Sequence, residues 1–165
     1  MAPPKGYIVD SRNGDRIEFQ YNPIPIRDTK GLRLNVQSIP GASHPRVTPS
    51  SGGNRQLTFT LHFYNESGDV NFVENKVAFL RSLEHPYEGE NFETHRAPLC
   101  FFVYGKMYKL AVYVERVNIR FDEVFDEETL QPWYAFVDVT LTEAAREDVR
   151  ASAVRTRGAG FRVST

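Results

Sequence analysis

The chemistry-bearing side chains of this chain are few and scattered. Its four histidines are His44, His62, His85 and His95, and none has the i, i+4 partner that a zinc-binding HExxH helix requires. His85 and His95 flank an acidic stretch with Glu88, Glu90 and Glu93. A metal could be held there, but a solvated loop accounts for the same composition. The acids Asp122, Glu123, Asp126, Glu127 and Glu128 crowd one short segment. A glycosidase needs two carboxylates facing each other across a cleft, so this cluster reads as a charged loop tip. The single cysteine, Cys100, sits inside the apolar run LCFFV, where a buried structural thiol is expected rather than a nucleophile. No nucleophile elbow, phosphate loop or dinucleotide fingerprint occurs. The reading is of a non-enzyme: no catalytic residue, no cofactor and no metal ligand is assigned.

Basic groups beside aromatic ones are a different signal. Arg55, Arg116 and Arg120 neighbour Phe and Tyr positions, and an OB-type barrel uses such pairs to stack bases. Lys and Arg number 20 against 21 Asp and Glu, a formal net charge of −1. A general polyanion binder carries a basic excess instead. The segment after residue 145 holds Arg146, Arg150, Arg155, Arg157 and Arg162 against Glu147 and Asp148. That local excess suits either an acidic partner surface or a solvated end.

The chain has 165 residues, room for one domain with a sizeable core. One cysteine excludes an intrachain disulfide. No apolar run is long enough to span a bilayer, and MAPPKGYIVD lacks the apolar centre of a signal peptide, so use without Sec export is expected. Phe and Tyr number 12 and 8, and these rings need a place to pack.

Period-2 alternation supplies it. Residues 17–22 (IEFQYN) alternate and stop at Pro23, whose missing N–H ends a ladder. Leu32, Leu34 and Val36 alternate with Arg33 and Asn35. Residues 38–54 hold Pro40, Gly41, Pro45, Pro49, Gly52 and Gly53 and read as a loop of about 15 residues, long enough for a role of its own. Residues 56–64 (QLTFTLHFY) give the clearest strand, with Leu57, Phe59, Leu61 and Phe63 on one face. The period then changes: Asp69 is a helix N-cap candidate, and Phe72, Val73, Val77, Phe79, Leu80 and Leu83 form a helical stripe ended by Pro86. Strands follow over 99–104 and 108–121. The second switches apolar phase at Glu115–Arg116, as a β-bulge produces. Residues 134–142 pair with it as a hairpin. The expected fold is mainly β (α+β), about six or seven strands in a barrel or sandwich with one inserted helix. A β domain spans 1–145, with the helix at about 69–84, and a basic tail spans 146–165.

The order of these parts resembles the tube-like domain of contractile injection system and phage baseplate proteins, which often carries a following LysM module. The resemblance rests on Phe19-Gln20-Tyr21-Asn22-Pro23, on Gly52-Gly53-Asn54-Arg55-Gln56-Leu57-Thr58-Phe59-Thr60-Leu61-His62-Phe63, on Ala97-Pro98-Leu99-Cys100-Phe101-Phe102-Val103-Tyr104-Gly105, and on Val139-Thr140-Leu141-Thr142-Glu143. It covers about residues 17–145. Two features depart from it: the turn after Phe63 lacks the usual acidic start, and the stretch after Glu143 is too short for a LysM domain.

The resemblance implies a tail-tube-like barrel and a structural role in the virion, at the tail baseplate, in a particle assembled in the host cytoplasm. It implies a homo-oligomeric, hexameric ring at the junction of spike hub and inner tail tube. The implied partners are the spike or hub protein, the tail tube and other baseplate proteins, with no membrane and no specific nucleic acid. Candidate interface residues are Asn22, Pro23, Gly52, Gly53, Arg55, Arg150, Arg155 and Arg157. The rival expectation is an OB-like binding module for nucleic acid or carbohydrate.

Overall fold

The computed structural model describes residues 4–86 and 97–144. Its elements are β1 (Tyr7–Asp10), β2 (Arg16–Glu18), β3 (Arg27–Gln37), β4 (Arg46–Tyr64), α1 (Phe72–Ser82), β5 (Cys100–Tyr104), β6 (Tyr108–Phe121) and β7 (Tyr134–Glu143). The seven strands form one antiparallel sheet in the order β2-β1-β5-β6-β7-β4-β3. The mainly β expectation with a single helix agrees with this architecture.

The sheet is curled. Phe59 on β4 and Phe102 on β5 stack with ring centres 5.3 Å apart, although β6 and β7 lie between their strands. Three strand spacings on a flat sheet would separate them by about 14 Å. The curl encloses a core of Phe19, Phe59, Phe63, Phe102, Val112, Val137 and Leu141, all buried. Part of the aromatic content packs here, while Tyr21, Tyr64, Phe121 and Phe125 are exposed. Helix α1 contributes Val73, Val77 and Leu80 to the same core, followed by Leu83.

The helix is shorter than its apolar stripe suggested. Asn71 occupies the N-cap position without a side-chain cap bond. Asp69 instead accepts from the Asn71 N–H through its carboxylate (3.1 Å) and from the Phe72 N–H through its carbonyl (3.0 Å), forming the turn before the helix. At the other end Leu83, Glu84 and His85 donate to carbonyls three residues back, a tightened last turn.

The phase switch in β6 is a bulge. Val114 pairs with Leu141 and Arg116 with Thr140, which leaves Glu115 unpaired. The extra residue keeps Val112 and Val114 inward before it and Val117 and Ile119 inward after it. The Val117 N–H donates to Glu84 Oε1 at 2.6 Å, so the turn after α1 is tied to the bulge.

Two expectations need correction. Residues 38–54 are not a loop of about 15 residues. Pairing between β3 and β4 continues from Leu32↔Gly52 to Gln37↔Arg46, and only residues 38–45 connect the strands. Glycine and proline, read as loop signals, are absorbed here at two register shifts of an exposed ribbon. The strand expected over 17–22 is also shorter, ending at Glu18. Strand β1 is not legible in the sequence, because four residues between turns carry too little periodicity.

Candidate functional site

Three surfaces stand apart from the core, and each is set by local sequence. The first is the arm formed by the distal halves of β3 and β4. Strand β4 pairs with β7 only from Gln56 to Tyr64, so the ribbon from Leu32 to Gly52 leaves the sheet as a two-stranded hairpin. Pairing places Leu32, Leu34, Val36, Val47 and Pro49 on one face. Leu32 is 59% exposed, Leu34 53%, Val36 59% and Val47 51%. Because Asp28 pairs with the inward-facing Leu57, the alternation along β3 makes this apolar face a continuation of the core face of the sheet.

The root of the arm is clamped. Arg55 Nε lies 2.9 and 3.1 Å from the two carboxylate oxygens of Asp28, and Nη2 donates to Oδ2 at 2.5 Å. The Tyr108 hydroxyl donates to the same oxygen at 3.2 Å, and the guanidinium lies 5.6 Å from the Tyr108 ring centre. The bonds from Arg55 hold the Asp28 carboxyl below its ordinary pKa, and the Tyr108 hydroxyl is raised, chiefly by burial and then by the Asp28 charge. Arg55 is thus engaged within the chain. Next to it, a Cβ on Gly53 would come within 2.8 Å of the Gly31 carbonyl oxygen, whereas one on Gly52 would meet open space.

The motif containing Asn22 and Pro23 also acts as a connector. Gln20 Nε2 donates to the Tyr64 carbonyl and Gln20 Oε1 accepts from the Tyr64 N–H, both at 2.8 Å. Its amide stands in for a paired strand at the end of β4 that β3 does not reach, since β3 pairing begins at Arg27↔Thr58. Asn22 Oδ1 accepts from the Gly6 N–H, and Asn22 Nδ2 donates to the Pro4 carbonyl. Pro23 is buried, and its carbonyl accepts from the Tyr104 hydroxyl at 3.3 Å. Arg150, Arg155 and Arg157 lie outside the described residues, as do the tail from 146 onward and the segment 87–96 with His95.

The second surface is a groove of about 550 Å³ at the opposite end of β4, between α1 and the connection from β6 to β7. Val77, Phe121, Phe125, Leu130 and Pro132 line it, with Glu74, Arg81 and His85 on the helix side. The connection is pinned by a bridge between Phe125 and Pro132 and by Asp126, which accepts from both the backbone N–H and the hydroxyl of Thr129. Leu130 holds φ at 56° and leaves 76% of its surface exposed. The acidic tip is legible in the sequence; the groove is not, because it needs the helix packed beside it.

The third surface is the outer face of β4, β7 and β6. His62 packs edge-on against Phe136, with ring centres 4.7 Å apart. Arg120 lies 4.7 Å from the Phe136 ring centre, and Tyr64 and Tyr134 sit 5.9 Å apart. Along the same face Glu115 Oε2 accepts from Gln56 Nε2 and the Thr142 hydroxyl, and Asp138 accepts from Thr60. Cys100 is fully buried, and burial pushes its thiol pKa up to about 12. Among the described residues no group of three or more His, Cys, Asp or Glu is arranged to hold a metal, and no helix is long and apolar enough to cross a membrane.

No protein-family model and no curated protein sequence matches the chain. Its fold is similar to that of a solved structure, the Dit protein (gp 19.1) of SPP1, described as a paradigm of the hub adsorption apparatus in phages infecting Gram-positive bacteria. The TM-score is 0.52 at 10% sequence identity. The match covers 84% of this chain and 49% of the Dit chain, so this chain spans about half the length of that protein.

Proposed function

We propose that this chain is a structural baseplate protein of a contractile phage tail or a related injection system. In this reading it forms or joins a hexameric ring at the junction of spike hub and inner tail tube, and its partners are further copies, the hub, the tube and neighbouring baseplate proteins. It acts by assembly, not by catalysis. The observation that carries the reading is the pairing of a fold like that of a hub adsorption protein with an arm whose apolar face has no cover within the described chain. An exposed apolar patch of that kind marks an interaction surface. The motifs that carry the resemblance lend further support: those at 52–63, 97–105 and 139–143 fall on or beside core strands and the arm's root, and Phe19 to Pro23 form the connector after β2.

The test is to locate the protein in purified particles. A tag on the chain, visualised by gold labelling, should mark one end of the tail and nothing else. Label along the whole tail, or on no tail at all, would contradict the assignment.

A second reading draws on the outer face. Arg120 over Phe136 beside Tyr64 and Tyr134 is the kind of platform on which bases or sugars stack. Against it, Asp138 and Glu115 lie on the same face and would repel a phosphate backbone. Single-stranded DNA affinity that falls steeply with salt would favour the binding module.

A further inference from the structure

The β3–β4 ribbon changes character along one narrow line. On the sheet side β4 has β7 as a second neighbour, and that pairing begins at Gln56↔Thr142. On the arm side β3 and β4 have only each other. The register shifts at this boundary: Lys30 pairs with Arg55 and Leu32 with Gly52, so Gly53 and Asn54 together face Gly31. A bulge of this kind interrupts the ladder and bends the strand.

The residues on that line lack the side chains that would stiffen it. At Gly53 a Cβ would lie 2.8 Å from the Gly31 carbonyl oxygen, so close approach of the two backbones requires glycine there. Gly31 and Gly52 are different. A Cβ on either would meet open space, and neither has a positive φ. Neither packing nor turn geometry calls for glycine at these two positions. What glycine supplies there is backbone freedom.

Both flanks of the line are braced. On the sheet side Arg55 holds Asp28 through both carboxylate oxygens, and Tyr108 joins them. On the arm side the second register shift adds Ser50, whose hydroxyl donates to the Arg33 carbonyl at 3.2 Å. The ring of the adjacent Pro49 fixes its own φ. Further out Val36 faces Val47, branched side chains that favour extended backbone. Among the described residues, the side chains from Leu32 to Ser51 form hydrogen bonds only within the arm, and none forms an ion pair. The arm is tethered to the sheet at its root alone.

We propose that the arm swings as one body about a hinge formed by Gly31, Gly52 and Gly53. Hinges are short segments that absorb backbone rotation between stiffer parts, and this line has a stiffer part on each side. From Leu32 to Gln37 the arm extends about 20 Å at strand rise. It carries the uncovered Leu32, Leu34, Val36 and Val47, so the hinge sets the angle at which that face is presented. The hinge is a property of the chain by itself and does not rest on the tail reading.

Spin-label distance measurements on the purified full chain test it. Nitroxides go on Thr48→Cys and Thr58→Cys, both exposed and on opposite sides of the line. A second pair, Thr58→Cys with Lys109→Cys, lies wholly within the sheet. Cys100 is buried and does not compete for the label. The pair across the line should give a broad distance distribution and the sheet pair a narrow one. Adding Gly31→Val and Gly52→Val should cut the breadth across the line roughly twofold, because branched residues restrict the backbone. Thermal unfolding verifies the fold of each variant. Gly52→Ala, a smaller change into the same open space, should narrow the distribution in lesser measure. Hydrogen exchange at the arm's paired amides should show protection, as a hairpin moving intact requires. A distribution across the line as narrow as the sheet pair's overturns the hinge. So does a breadth that neither the valines nor the alanine reduces, or arm amides that exchange as fast as those of an unstructured chain. Each of these results leaves the tail reading standing, and normal tails formed without the chain would leave the hinge standing.

Discussion

Arg55 grips both carboxylate oxygens of Asp28 across the root of the β3–β4 arm, at 2.9, 3.1 and 2.5 Å, with the Tyr108 hydroxyl as a third donor. The pair sits where the core ends. Leu57 and Phe59 lie on its inner side, and the uncovered Leu32, Leu34 and Val36 lie beyond it. An ion pair at this point separates two apolar surfaces of one ribbon, one for the fold and one left outward.

The pair makes stability depend on pH in a definite sense. The folded chain holds the Asp28 pKa below its ordinary value of 3.8. Its contribution is therefore present above that value and is lost as pH falls through the depressed one. Asp28→Asn should cost about 1 kcal/mol at neutral pH, and the difference from the natural chain should shrink below about pH 4. Denaturant melts at several pH values measure it. A gap that grows on acidification would contradict the account.

Gly53 and Gly52 should respond differently to the same change. Alanine at Gly53 would push a Cβ to 2.8 Å from the Gly31 carbonyl oxygen, which is backbone and cannot step aside cheaply. Gly53→Ala should cost about 1–3 kcal/mol and disturb the arm's root, while Gly52→Ala should be tolerated. Equal effects in thermal unfolding would mean the ribbon does not bulge as described.

Glu84→Ala should cost about 1–3 kcal/mol, because the Val117 N–H beside the bulge would lose its acceptor. Glu84→Gln keeps an acceptor oxygen and should recover much of that loss. Hydrogen exchange at Val117 gives the local readout: faster in the alanine variant, near normal in the glutamine one.

Phe59→Ala removes a ring stacked on Phe102 at 5.3 Å and tilted against Phe19 at 5.8 Å. A loss of about 3–5 kcal/mol is expected for a buried phenylalanine, read from chemical denaturation. A loss below about 1 kcal/mol would be that of an exposed side chain and would place Phe59 outside the core.

Cys100 should be inert in the folded chain. Its thiol is buried, has a pKa pushed up to about 12, and points toward the Pro98 carbonyl. A thiol reagent at mild alkaline pH should react only after unfolding. Rapid native labelling would show that β5 opens.

Much of this was legible in the sequence because alternation and burial coincide. Leu57, Phe59, Leu61 and Phe63 share one face by alternation and are all buried. The switch at Glu115–Arg116 was readable because a change of apolar phase within one strand has few other causes. The arm was not readable. Its glycines and prolines signal a loop, and an exposed ribbon needs no core to enforce its alternation. The groove was invisible for a different reason: Val77 and Phe125 are distant in sequence, and only the packing of α1 brings them to one surface. Arg55 stands out at the start of its strand, but its partner Asp28 lies 27 residues away and only the β3–β4 register reveals it.

The central claim is that this chain is a structural part of a tail, and particles made without it test that most directly. Negative-stain microscopy of such particles should find no complete tails with a baseplate. Complete tails of normal form in its absence would contradict the account.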